Sequence, residues 1–364
     1  MALVACCAFG LSSAGAQMYN LTDLGALPDQ KESKPAAINN EGQVAGTSGQ
    51  SAFRYTETAK EKMEDVGRHS AKGIHRGFGI NGSGVVVGDS SFGMNYSHAA
   101  VFMNGSAVDL GTLKQGGAFS RANGINISGQ VVGFSSEKPD YAYGRAFIVS
   151  TFDRRGMRDL GTLGGAYAQA WSINDFGFVT GNSQIKNDLG NVGPSHAFIW
   201  QAEKGMMDLG TLGGDFSYGT FINSSNHVVG YSTIKDENKD RIHAFFYDGT
   251  EMIDLGSLGG ASMESDRSFA LGINANDQVV GYSYLPPQGE VRFGPTPQPV
   301  QAVAFVWNGK VMLDLNGLIG DASKNYQLDA AVAINEKGQI AAIAFDKGAG
   351  VYHAVLLTPV HNRK

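Results

Sequence analysis

The side chains best suited to chemistry in this 364-residue chain stand in short segments that each lead into an Ile-Asn pair. They are His75 and Arg76, Arg121, Tyr167 and Gln169, Asp215 and Tyr218, Glu264, Asp266 and Arg267, then Tyr326 and Asp329. Mixed charge with tyrosines suits a polar ligand such as a glycan or a protein segment, because tyrosine offers both a flat apolar face and a hydroxyl. Within this set Asp215 and Glu264 are the best pair for catalysis, since two neighbouring carboxylates perform acid/base chemistry on glycosidic bonds. An ordinary solvated rim is the bland alternative for the whole set.

Other motifs fail on context. Residues 77–82, Gly-Phe-Gly-Ile-Asn-Gly, fit the dinucleotide fingerprint but fall on an Ile-Asn turn with no helix to follow. The acidic stretch 236–240 opens like a calcium loop, yet Arg241 stands where the glycine of such a loop belongs and Tyr247 where its bidentate glutamate belongs. His196, His243 and His353 recur at one strand position of separate repeats, so they are expected at strand edges, apart from any common metal. No cofactor and no metal are expected.

Composition sets the frame for these candidates. Glycine makes up 50 of 364 residues, about twice the usual 7%. The 42% apolar content supports a large core, and the glycine excess argues against helices and for many turns between short strands. A net charge of -6 without any lysine or arginine run gives no footprint for nucleic acid. No apolar stretch is long enough to span a bilayer as a helix. Residues 1–16 are uncharged and end in Ala14-Gly15-Ala16, the pattern of a cleaved export signal. A lipoprotein signal at Leu3-Val4-Ala5-Cys6 is the alternative. Both cysteines, Cys6 and Cys7, lie in this segment, so the mature chain is expected to lack a disulfide.

The chain repeats itself seven times. Asp-Leu-Gly or a variant starts at Asp23, Asp65, Asp109, Asp159, Asp208, Asp254 and Asp314, at spacings of 42, 44, 50, 49, 46 and 60 residues. Between these come an Ile-Asn pair, a Gln-Val-Val-Gly-like run and an Ala-Phe-like pair, always in that order. Three residues after each Asn stands Gly42, Gly84, Gly129, Gly177, Asn226, Asp277 or Gly338, all types that tolerate positive φ, so Asn-x-x-Gly predicts a tight hairpin turn. Four strands in meander order per repeat match the arithmetic of an all-β, seven-bladed β-propeller of four-stranded antiparallel blades. The opening segment 19–25 lacks three strands before it and the last repeat lacks its fourth, so the N-terminal strand is expected to close the ring. Residues 17–360 would form this single domain, with 361–364 as a tail.

These residues resemble the bacterial HAF repeat, named for the His-Ala-Phe found here at 196–198 and 243–245. The likeness rests on Asp-Leu-Gly-Thr-Leu-Gly-Gly at 159–165 and 208–214, on Ile-Asn and on Gln-Val-Val-Gly, and it covers nearly all of 19–359. It implies export to the periplasm or beyond and a repeat architecture, with no reaction attached. Residues present in every repeat are then scaffold, and function belongs to what differs between repeats. In a propeller the links into each first strand would line the mouth of the central channel, on the same face as the proline-rich insertion 284–301. The expected function is a secreted binding module for a glycan or protein ligand. A polysaccharide lyase or hydrolase using Asp215 and Glu264, or a structural envelope component, are the alternatives.

Overall fold

Each Asn-x-x-Gly segment folds as its residue types dictate. In a computed structural model of the chain, residues 17–67, 73–93, 96–114, 117–137, 144–151, 156–186, 192–235, 241–260, 265–286 and 301–360 are described. Residues 1–16, Glu264, the acidic stretch 236–240, residues 287–300 of the insertion and residues 361–364 lie outside them. In all seven turns the N–H of the fourth residue returns to the asparagine carbonyl, and that fourth residue has φ between 57° and 82°. Glycine takes the left-handed conformation without cost, and Asn226 and Asp277 are the side chains that tolerate it best.

The strands fall into seven sets. After β1 (Tyr19–Asp23) come β2 (Ser33–Ile38), β3 (Val44–Ser48), β4 (Ser51–Tyr55) and β5 (Met63–Asp65). The next set is β6 (His75–Ile80), β7 (Val86–Ser91), β8 (Ser97–Met103) and β9 (Ser106–Gly111). Then follow β10 (Phe119–Ile125), β11 (Gln130–Ser136), β12 (Arg145–Ser150) and β13 (Arg158–Asp159). The fourth set is β14 (Gly164–Ile173), β15 (Val179–Lys186), β16 (Val192–Gln201) and β17 (Gly205–Asp208). The fifth is β18 (Gly213–Ile222), β19 (Val228–Ile234), β20 (Ile242–Tyr247) and β21 (Met252–Asp254). The sixth is β22 (Ser268–Ile273), β23 (Val279–Leu285), β24 (Gln301–Trp307) and β25 (Met312–Asp314). The last comprises β26 (Tyr326–Ile334), β27 (Ile340–Asp346) and β28 (Val351–Pro359).

Within a set each strand pairs antiparallel with the next, and β1 takes the fourth place beside β28, with Tyr19 opposite Pro359 and Asp23 opposite Val355. One parallel bridge, Phe119 to Ser97, joins the second and third sets into a single eight-stranded sheet. Two 3-10 turns between β25 and β26 are the only helical elements among the described residues. The repeated Ala-Phe pair builds the core between neighbouring sets: Phe53, Phe147, Phe198, Phe245 and Phe305 are fully buried.

The repeated polar residues hold this frame. In every set the aspartate of Asp-Leu-Gly accepts the N–H two residues on, at 2.6 to 3.0 Å. Each turn asparagine accepts backbone N–H groups of its own hairpin, while its Nδ2 donates to the asparagine carbonyl of the next set, at 2.9 to 3.2 Å. The series ends where it began, because Asn335 donates to Asn39 at 3.0 Å. Serine adds a second stitch that the repeat pattern did not single out. The Oγ atoms of Ser33, Ser120, Ser217 and Ser268 accept from Ala354, Ala99, Ala197 and Ala244, each in the preceding set.

The recurrent histidines do more than pack at strand edges. His98, His196, His243 and His353 each place Nδ1 within 2.8 to 3.0 Å of the Asp-Leu-Gly aspartate of the same sheet.

Candidate functional site

The first strand of every set reaches one cavity of about 420 Å³. Its wall includes Ala36, Phe78, Asn123, Trp171, Thr220, Leu271 and Val332, each two residues before the Ile of its Ile-Asn pair. Side chains of a strand alternate between its two faces, so the residue four before each Ile shares this side: Lys34, Arg76, Arg121, Gln169, Tyr218, Phe269 and Ala330. Cross-strand register sets a second-strand partner opposite each, namely Thr47, Asp89, Phe134, Asn182, Tyr231, Tyr282 and Ile343.

The glycine of Val-Val-Gly makes this layer possible. First and second strands shift register by one residue just below it, and a Cβ on Gly133 or Gly230 would lie 1.8 Å from the carbonyl oxygen of Arg121 or Tyr218. In six sets the second-strand member of the layer is therefore the residue directly after that glycine; in the last, Ile343 follows Ala342.

One side of the layer is cationic. Arg76 chelates the fully buried Asp89 through Nε and Nη2, at 2.9 and 2.5 Å. Arg121 gives Nε to Asn123 Oδ1 at 2.9 Å, and its guanidinium lies 5.0, 5.1 and 5.4 Å from the ring centres of Phe78, Phe134 and Trp171. A guanidinium over ring faces keeps its charge in partly dry surroundings.

The other side is aromatic. Tyr218 stacks on Tyr231 at 5.0 Å and Phe269 on Tyr282 at 4.8 Å, with Tyr231 meeting Phe269 edge-on at 4.9 Å. Tyr231, Phe269 and Tyr282 line the cavity directly. Tyr167 bridges the two sides. Its hydroxyl donates to Gln169 Oε1 at 2.6 Å, and burial, with Tyr218 adding and Arg121 opposing, pushes it up to about 12. Burial, with Tyr284 nearby, pushes Tyr282 up to about 12 as well. Burial and then Tyr218, Tyr282 and Tyr167 raise Tyr231. All three stay protonated donors at neutral pH. Gln169 is 5% exposed and its buried Nε2 has no hydrogen-bond partner.

The sequence-derived candidates thus divide. Arg76, Arg121, Tyr167, Gln169 and Tyr218 come together here. His75, 1% exposed, holds Nδ1 2.7 Å from Ser90 Oγ and shares the buried strand parity of Ser120, Ser217 and Ser268. Asp266 is also buried, accepting His243 Nε2 at 3.0 Å and Ser257 Oγ at 2.6 Å. Tyr326 donates to Asp23 Oδ2 at 3.0 Å. Burial raises Asp329 against the hydrogen bond of Tyr352. Arg267 is half-buried with Nε unpartnered, and Asp215 is exposed. Glu264, the other half of the acid/base pair, lies outside the described residues. Phe134, Tyr231, Phe269 and Tyr282 were missed; their signal is the variation directly after the repeated Val-Val-Gly and four residues before each Ile.

No protein-family model matches the chain, and no curated protein matches it. Solved structures do. The β-propeller domain of the Trilobed protease from Pyrococcus furiosus, described as having an open velcro topology, aligns over 95% of this chain and 98% of its own, with TM-score 0.55 and 11% identity. The fold is a β-propeller. TolB from Acinetobacter baumannii aligns over 95% of this chain and 64% of its own (TM-score 0.42, 11% identity). A gluconolactonase from Xanthomonas campestris aligns over 94% and 95% (TM-score 0.40, 6% identity).

Proposed function

We propose that the chain is a closed seven-bladed propeller of the bacterial HAF-repeat kind, exported from the cell, that binds a glycan or protein ligand at the mouth of its central channel. Seven four-stranded sets, the β1–β28 pairing and the return of the asparagine series from Asn335 to Asn39 support the closed ring. Export rests on the signal-like segment 1–16. The observation that carries the binding role is a division of labour. Residues repeated in every set are spent on hydrogen bonds of the frame, whereas those that differ between sets gather around one cavity walled by Phe78, Trp171, Tyr231, Phe269 and Tyr282, with the Arg121 guanidinium over the rings of Phe78 and Trp171. Pockets of this size with few polar groups on an apolar wall are the usual form of ligand sites.

Screening of glycans and peptides against the purified chain should find a ligand whose affinity is lost in Tyr218→Ala. Unchanged affinity in that variant would remove the mouth as the site. Turnover of a polysaccharide that disappears in Glu264→Gln would replace the binding role with catalysis.

A further inference from the structure

We propose that the cavity at the channel mouth takes an uncharged aromatic ring, presented by a free aromatic compound or by a side chain of a protein segment; this rests on the reading of the mouth as a ligand site. The absence of charge follows from the wall. Among the described residues no Asp, Glu, Lys, Arg or His lines the cavity, and a charged group placed there would lose its water without gaining a partner. Arg76 and Arg121 do not alter this. The first chelates Asp89, the second donates to Asn123, and neither lines the cavity.

The polar side chains of the wall set aside a sugar. They are Asn123, Ser172, Thr220, Tyr231 and Tyr282. Asn123 is spent on the frame, since it donates Nδ2 to the Ala170 carbonyl at 2.7 Å and accepts Arg121 Nε at 2.9 Å. Thr220 is spent likewise, with Oγ1 2.8 Å from the Ala270 carbonyl oxygen. The hydroxyls of Ser172, Tyr231 and Tyr282 are left, and they make no hydrogen bond among the described residues. A sugar ring carries a hydroxyl on almost every carbon, and most of these would go unpaired here at the cost of their hydration. A flat ring with a single hydroxyl asks for no more than these groups can give.

The apolar part of the wall fits such a ring. Phe78, Trp171, Tyr231, Phe269 and Tyr282 bring aromatic faces and edges from four of the seven sets, and aromatic pairs gain more than their buried area alone provides. Ala36 stands at the position that Phe78 and Trp171 fill in their own sets, and it is the smallest side chain at that position. The first set thus leaves the room of a missing ring.

The test is calorimetry on the purified chain with 2-naphthol, its carboxylated form 6-hydroxy-2-naphthoate, cellobiose and a capped glycine-tyrosine-glycine tripeptide. Binding of 2-naphthol is expected to be about tenfold tighter, or more, than that of its carboxylated form or of cellobiose. Ala36→Trp, which fills the room, should abolish that binding. The double variant Tyr231→Phe with Tyr282→Phe, which keeps both rings and removes their oxygens, should weaken it about tenfold. Tripeptide binding as tight as that of 2-naphthol assigns the ring to a protein segment, whereas binding of 2-naphthol alone assigns it to a free compound; either supports the proposal. Equal binding of 2-naphthol and its carboxylated form, or full affinity in either variant, overturns it. Binding of cellobiose alone, lost in Tyr218→Ala, overturns the aromatic ring and leaves the mouth as a ligand site. No binding by any of the four probes overturns both.

Discussion

Among the described residues, His243 is the one recurrent histidine with a carboxylate on each ring nitrogen. Its Nδ1 meets both oxygens of Asp254 at 2.8 Å and its Nε2 meets Asp266 at 3.0 Å; in His98 and His353 the second nitrogen faces a backbone carbonyl instead. Burial pulls the imidazole down, but the hydrogen bonds and charges of Asp254 and Asp266 outweigh it and hold it above the usual histidine range. The folded value therefore exceeds the unfolded one, about 6.5. The stability this residue adds is fully present below about pH 6.5 and is lost as pH rises through the raised folded value. The gap in melting temperature between the native chain and His243→Gln should be widest near pH 6 and narrow as pH rises through the raised folded value. A gap that stays constant across that range would show that the carboxylates do not hold a charged imidazole.

At the level of strands, the feature that decides the site is the register shift below each layer residue. In six sets it presses the first-strand carbonyl against a second-strand glycine, leaving no room there for a side chain, while in the last set Ala342 stands at that place opposite Ala331. Gly230→Ala should cost about 3 kcal/mol in urea unfolding, because the atom it meets, the Tyr218 carbonyl oxygen, is backbone and cannot turn away. A cost below about 1 kcal/mol would mean that the shift is not held as described. The turns were legible because their bonds are local: the asparagine and the left-handed residue that complete each one stand three positions apart. The layer was legible only by half. First-strand members such as Arg121 and Tyr218 announce themselves by type. Tyr231 and Tyr282 become their partners through cross-strand pairing across a shift that no periodicity marks. The same alternation explains His75, which sits one residue from Arg76 and so faces the opposite side of its strand.

For the whole molecule, the repeat count and strand order were legible because each set restates them. The placement of Asp266 was not, since its partner His243 belongs to the set before it and the two meet where Ile242 and Arg267 form a parallel bridge between sets. The ends of the described chain meet: Val360 donates to Met18 at 2.8 Å, and Gln17 Nε2 donates to Val360 at 2.9 Å. A permuted chain with a short linker joining residues 17 and 360, opened within the exposed turn at Gly249, should fold and unfold in one transition at a similar urea midpoint. A permutant that unfolds in two steps would show that the sets do not act as one cooperative body. The β1–β28 pairing has a mechanical side as well. Its two strands run antiparallel and the chain ends lie together at one tip of the pair, so tension on the ends peels the strands apart one hydrogen bond after another instead of shearing all of them at once. Under load the molecule has a built-in seam, and that seam is where it gives way first.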